Sequence, residues 1–99
     1  LETKAIEPYY DIMEDQKNNL IKVYIEMPGV SKDQIHLYAD ETELHVTAKG
    51  EHKEYEADIP LDREIDVSSA TATYNNGVLE VTLKPKQPLQ KTGNEIKIQ

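Results

Sequence analysis

From Leu20 onward, large apolar side chains recur at every second position, and this single feature limits the folds open to the chain. In "LIKVYIEM", Ile21, Val23, Ile25 and Met27 alternate with Lys22, Tyr24 and Glu26. Successive side chains of a strand point to opposite faces, so the pattern specifies one buried face and one wet face. The same alternation returns in "QIHLYA", "ELHVTAK", "EYEADIPL" and "GVLEVTLK". Strands of this kind must cover one another's apolar faces, because no stretch carries the repeat of a helix of useful length.

The punctuation between these runs sets the order of pairing. "PGV" ends the first run, since Pro28 lacks a donor and Gly29 accepts turn conformations. Ser31 to Gln34 has capping-box spacing and predicts one helical turn. "QIHLYA" and "ELHVTAK", joined by "DETE", form an antiparallel hairpin. Pairing Ala39 with Leu44 puts Ile35, Leu37, Ala39, Leu44, Val46 and Ala48 on one face, with His36, Tyr38, His45 and Thr47 on the other. A slip of one residue would mix the two sets, so the register is fixed. "EIDV" reads as a short bridge and "ATATY" as a strand of small residues; "NNG" is a strong turn signal before "GVLEVTLK". With "EPYYDIM" at the front, the count is about seven strands: an all-β, antiparallel, immunoglobulin-like β-sandwich.

Ninety-nine residues provide one domain with a modest core. No apolar run approaches the length of a membrane span or a signal-peptide core, which predicts a soluble, cytoplasmic protein. The net charge of −8, from 19 acidic against 11 basic residues with Arg63 the only arginine, argues against a nucleic-acid partner.

Catalytic chemistry finds no residues to use. Cysteine is absent, which removes disulfides, thiolate metal ligands and thiol nucleophiles. Ser31, Ser68 and Ser69 lie outside any nucleophile-elbow context. Acids are so numerous that close carboxylate pairs arise by chance, and no Gly-rich phosphate loop occurs. His36 and His45 lie diagonally on one strand face, but a zinc site needs a third ligand and an outer shell. The expectation is a non-enzyme with no cofactor and no metal. Among six tyrosines, Tyr55 and Tyr74 are in phase with apolar neighbours and read as core, whereas Tyr24 and Tyr38 are out of phase and read as exposed.

After Lys84 the character changes. "KPKQPLQKTGN" reads as an extended linker, and "EIKIQ" then places Ile96 and Ile98 on one side of an extended segment, with Lys97 between them.

"ATYNNGVLEVTLKP" resembles the signature near the end of the α-crystallin domain of small heat shock proteins, carried here by Ala72, Gly77, Val78 and Leu79. "IEMPGVSKDQIHLYADETELHVTAKG" resembles the earlier strands of that family, "DIPL" its later "LP" element, and Ile96-Lys97-Ile98 its closing I-x-I motif. The resemblance divides the chain into an N-terminal remnant (1–8), an α-crystallin domain (9–85) and a flexible C-terminal extension (86–99). It implies an ATP-independent chaperone of the stress response. Such a protein binds unfolding clients and assembles into homodimers and larger homo-oligomers when the tail docks in a neighbour's edge groove. The matching groove strands are Ile35–Ala39 and Ala70–Tyr74. Ile35 and Leu37 are its apolar candidates, and Ala39, Ala70 and Ala72 leave room for a guest. Two departures stand out. Only Gly50–Glu54 occupies the place of the long loop that carries a swapped strand in bacterial, plant and archaeal relatives, and the N-terminal arm is absent or cut short. A CS-domain co-chaperone, which shares the sandwich and lacks the swapped strand, is the alternative; an extracellular adhesion module and an enzyme rank below it.

Overall fold

The computed structural model describes residues 4–89 and 95–99. Its strands are β1 (Tyr10–Asp15), β2 (Leu20–Glu26), β3 (Ile35–Ala39), β4 (Glu43–Lys49), β5 (Glu54–Pro60), β6 (Ile65–Asn75) and β7 (Val78–Pro85), with one 3-10 turn, Lys32–Gln34, before β3. They form two antiparallel sheets, β1-β2-β7-β6 and β3-β4-β5.

The alternation read in the sequence is the alternation of burial. Ile21, Val23 and Ile25 of β2, Leu44, Val46 and Ala48 of β4, Tyr55, Ala57 and Ile59 of β5, and Leu79, Val81 and Leu83 of β7 meet between the sheets with Met27, Leu61 and Ile65. Each large aliphatic side chain buried this way contributes roughly 1.5–3 kcal/mol against chain entropy. Ala39 pairs with Leu44 and Ile35 with Ala48, the register that the two-face argument requires.

Turn chemistry fixes the ends of the strands. Asn76 (φ 52°) and Gly77 (φ 81°) make the tight β6–β7 hairpin, and a Cβ on Gly77 would lie 3.3 Å from Pro28. The Gly77 carbonyl accepts from Met27 N–H at 2.7 Å, joining this hairpin to the loop after β2. Tyr55 Oη donates to the Pro28 carbonyl at 2.5 Å, and Tyr74 Oη lies 2.6 Å from the Met27 carbonyl and 3.0 Å from that of Val30. One tyrosine from each sheet therefore satisfies the carbonyls of the same Pro-Gly-Val loop. Before β3, the Gln34 side chain accepts from Ser31 N–H at 2.9 Å, as the capping-box spacing predicts.

Four details differ from the sequence reading. "EIDV" and "ATATY" belong to one eleven-residue strand, interrupted by a bulge between Asp66 and Thr71. Ser69 makes this continuity possible, because its Oγ accepts from Lys84 N–H at 2.9 Å where the ladder has shifted. Glu54 opens β5, so the β4–β5 turn is only Gly50–Lys53, closed by Gly50 N–H to the Lys53 carbonyl at 2.7 Å. Tyr24 is half-buried rather than exposed. Leu89, inside the segment read as linker, is 2% exposed, and its N–H donates to Asn19 Oδ1 at 3.0 Å. Packing therefore continues past Pro85 until a lone leucine closes the core beneath the β1–β2 turn.

Candidate docking groove

A sandwich of two open sheets has two long sides, each bounded by one edge strand from each sheet. On one side the edges are β3 and β6, and Tyr74 of β6 reaches the Val30 carbonyl just ahead of β3. On the other side the edges are β5 and β1, with the chain passing directly from a bridge on β5 at Ile6 to the start of β1 at Tyr10.

The β3/β6 side holds all five residues that the sequence reading placed in a groove. Ile35, Leu37 and Ala39 face inward opposite the buried Ala48, Val46 and Leu44, yet each is only half-buried. Ala70 is half-buried beside the bulge, and it packs with Ile35, Leu37, Ala39, Val30 and Tyr74 against the core. Ala72 pairs with the fully buried Val81 and so has an inward phase, but it is exposed. An inward-facing alanine left in solvent marks a place where the two sheets fail to cover each other. Among the described residues no strand pairs with the outer edge of either β3 or β6, and such an edge is a template for a further strand. An extended guest with apolar side chains at i and i+2 matches that arrangement: backbone bonding to an edge, with two side chains over the half-covered row.

Tyr74 closes the Pro28 end of this side. Burial and the neighbouring Tyr55 push its ionisation above the usual tyrosine range, so it stays a neutral donor to the loop carbonyls. The remaining signature residues act locally. Gly77 supplies the left-handed turn, Leu79 enters the core, and Val78 is half-buried at the start of β7.

The outer face of the β3-β4-β5 sheet carries the two histidines. His45 on β4 is held by the Asp58 carboxylate through Nδ1, with Glu56 3.8 Å from Nε2 and the Tyr38 ring 6.2 Å away, centroid to centroid. The hydrogen bond to Asp58 raises its pKa above the usual histidine value. His36 lies on the same face, exposed, opposite Thr47. The tail isoleucines are almost wholly in solvent, Ile96 at 86% and Ile98 at 93% exposure, while residues 90–94 of the linker lie outside the described residues.

Residues 11–99 match the Hsp20/alpha crystallin family. The chain belongs to that family. It is 26% identical over 102 residues to a probable 15 kDa heat shock protein of Leptospira interrogans, an alignment covering 89% of this chain and 77% of the relative. Heat shock protein 16.0 of Schizosaccharomyces pombe shares the fold, with a TM-score of 0.74 at 22% identity over 95% of this chain and 99% of that one. A nuclear movement protein of E. cuniculi has the same sandwich, with a TM-score of 0.61 at 21% identity over 88% and 98% of the two chains. The small heat shock protein resemblance seen in the signature is thus a family membership, and it supports a chaperone role. Among the described residues no helix is long and apolar enough to cross a membrane.

Two features of this Hsp20 chain escaped sequence reasoning: the bridge of Ile6 to β5 and the burial of Leu89. Each is one apolar residue in a polar stretch, too little for a periodic signal. The side-chain amide that caps Leu89 is 70 residues away in sequence.

Proposed function

We propose that this Hsp20 chain is an ATP-independent holdase that keeps unfolding proteins from aggregating. It assembles with copies of itself when Ile96 and Ile98 of one chain dock in the β3/β6 groove of another. The observation that carries this reading is complementarity: two apolar side chains of like phase stand in solvent, and a half-covered apolar row lies between two edge strands that no other strand pairs among the described residues. Burying both isoleucines gains on the order of 3–6 kcal/mol gross, and ordering each tail residue costs ~1–2 kcal/mol. A single docked tail is therefore weak and reversible, and several acting together hold an assembly that still releases groove for clients. Leu89 sets the geometry of that docking. Ile96 follows it by seven positions, so a docked Ile96 lies no more than ~25 Å from its own anchor. The protein works in the cytoplasm as a domain (9–85) with a C-terminal extension (86–99) that carries the assembly motif.

The test is suppression of heat- or reductant-induced aggregation of a client protein, with and without ATP. Equal protection in both arms supports the reading, and protection that requires ATP overturns it. Tail docking is tested separately by Ile96→Ala with Ile98→Ala in size-exclusion chromatography with light scattering. A smaller, still-folded species is expected; an unchanged assembly size at every concentration overturns the docking.

The four-residue β4–β5 turn, Gly50–Lys53, favours a second reading, a co-chaperone of the CS-domain kind that binds a folded chaperone partner. Such a protein would leave client aggregation untouched on its own and act only when that partner is added.

A further inference from the structure

The turn that joins β6 to β7 holds a reactive pair. Of the asparagines in the chain, only Asn76 is followed by glycine; the others precede Asn19, Leu20, Asn76 and Glu95. A side chain on the following residue shields that residue's nitrogen, and glycine has none. Asn76 is exposed, so its carboxamide is open to water and to attack. We propose that Asn76 is a site of intramolecular deamidation, and that the folded β6–β7 turn holds it unreactive until the turn opens. The reaction needs only water. The Gly77 nitrogen bonds to Asn76 Cγ, the side-chain nitrogen leaves as ammonia with the proton shed by the Gly77 amide, and a succinimide closes. Water then adds to either ring carbonyl and breaks its bond to nitrogen, leaving aspartate or isoaspartate at position 76.

The fold supplies the gate. Asn75 pairs with Val78, so the loop between them is Asn76 and Gly77 alone, and both have positive φ, 52° and 81°. That is a type I′ turn, with ψ of about 30° at its first residue. Ring closure needs the Asn76–Gly77 peptide rotated until its nitrogen faces the side chain, and that rotation swings Gly77 away. The surroundings oppose the swing. The Gly77 carbonyl accepts from Met27 N–H at 2.7 Å, and Pro28 lies 3.3 Å from where a Gly77 Cβ would stand. Among the described residues Asn19 also has positive φ, 55°, but its side-chain oxygen accepts from Leu89 N–H at 3.0 Å and a leucine follows it. The two products part ways. Aspartate keeps the turn, because Asp-Gly suits the same geometry. Isoaspartate lengthens the main chain by one carbon inside the tightest loop of the hairpin, which breaks the Gly77–Met27 bond. That bond borders the Pro-Gly-Val loop held by Tyr74, so conversion loosens the Pro28 end of the β3/β6 side irreversibly.

The test uses the full, unaltered chain, incubated at neutral pH across a series of urea concentrations and followed by peptide mass spectrometry. In unfolding urea, Asn76 is expected to convert at least tenfold faster than Asn18, Asn19, Asn75 or Asn94; the absence of that preference overturns the site. In buffer its rate is expected to fall at least tenfold and to stay flat in urea up to the unfolding transition, because opening a turn exposes little surface. Equal rates in the folded and unfolded chain overturn the gate. So does a rate that climbs from the lowest urea in step with the unfolded population. Gly77→Ala, measured in unfolding urea where its fold has no bearing, is expected to slow conversion at least tenfold; an unchanged rate overturns attack by the Gly77 nitrogen. The isoaspartate form is then isolated, refolded and compared with Asn76→Asp by amide exchange. Its Met27 amide is expected to exchange at least tenfold faster than that of Asn76→Asp, which keeps the parent's rate. Equal exchange in the two overturns the loosening. Failure of the holdase reading leaves these outcomes unchanged.

Discussion

Along the β3/β6 side, Ile35, Leu37 and Ala39 stand inward but half-covered, and nothing in the described chain pairs with either edge. Along the β1/β5 side, the corresponding opening is spanned at one end by Ile6 and Pro8, and at the other by Arg63, whose guanidinium holds Glu14 of β1. Each side is bounded by one edge strand from each sheet. The difference lies in where the crossings fall: Ile6 lies along the β5 edge itself, whereas on the β3/β6 side Tyr74 reaches the Val30 carbonyl ahead of β3 and Ile65 N–H the Glu41 carbonyl beyond it, at 2.8 Å. A sandwich closed on both sides would offer no place for an extended guest. One open on both would carry two unguarded edges, a standing route to aggregation.

The largest effect expected from perturbing this contrast is at the floor both sides share. Leu89→Ala removes a fully packed leucine and costs about 2–5 kcal/mol in urea unfolding. Leu37→Ala, on the half-covered row, costs about 1 kcal/mol; equal losses would mean that the open side is as packed as the core. Next is Gly77→Ala, which forces a left-handed residue at φ 81° and costs about 1–2 kcal/mol. Tyr74→Phe leaves the Met27 carbonyl short of its donor and loosens the closed end of the groove, at about 1 kcal/mol. A larger loss of stability with no change in tail affinity would detach Tyr74 from the groove. Arg63→Ala tests the other side and costs less than about 1 kcal/mol, since both partners are part-exposed.

The smallest effect is a pH dependence. His45 joins the two edges across the outer face, with Tyr38 of β3 on one flank and Asp58 of β5 on the other. Its folded pKa is raised by Asp58, so its contribution is fully present below the unfolded value of about 6.5 and is lost as pH rises through the folded value. His45→Gln is expected to flatten stability over that window. A variant with the parent's slope would place the pH dependence elsewhere.

How much of this was legible follows from the physics of each element. Period-two alternation gave the strands, the hairpin register and the inward phase of Ile35, Leu37 and Ala39, because burial and pleat share one period. Exposure along that face was not legible. Ala72 and Val81 are paired and equally inward, but Ala72 lies on the edge strand β6 and is in solvent, whereas Val81 lies on the interior strand β7 and is buried. The bulge was hidden because Asp66 and the two serines look like a turn. Ser68 N–H does bond Asp66 Oδ1 at 3.0 Å, yet Ser69 carries the strand through. Ile6 and Leu89 were illegible for a related reason: each is a solitary contact whose partner is distant in sequence.

The strand order also implies a sequence of events in time. The β3-β4-β5 sheet is a meander whose neighbours are joined by short turns, so its pairing closes only small loops. The other sheet depends on β2 meeting β7, a contact in which Lys22 and Glu80 lie 58 residues apart. Loop-closure entropy delays such pairings, and the meander assembles first. During synthesis, the edge of β2 that pairs with β7 waits unpaired until β7 has left the ribosome. A member of a family associated with heat shock thus passes through a stage in which it displays the same kind of open strand edge that unfolding proteins expose.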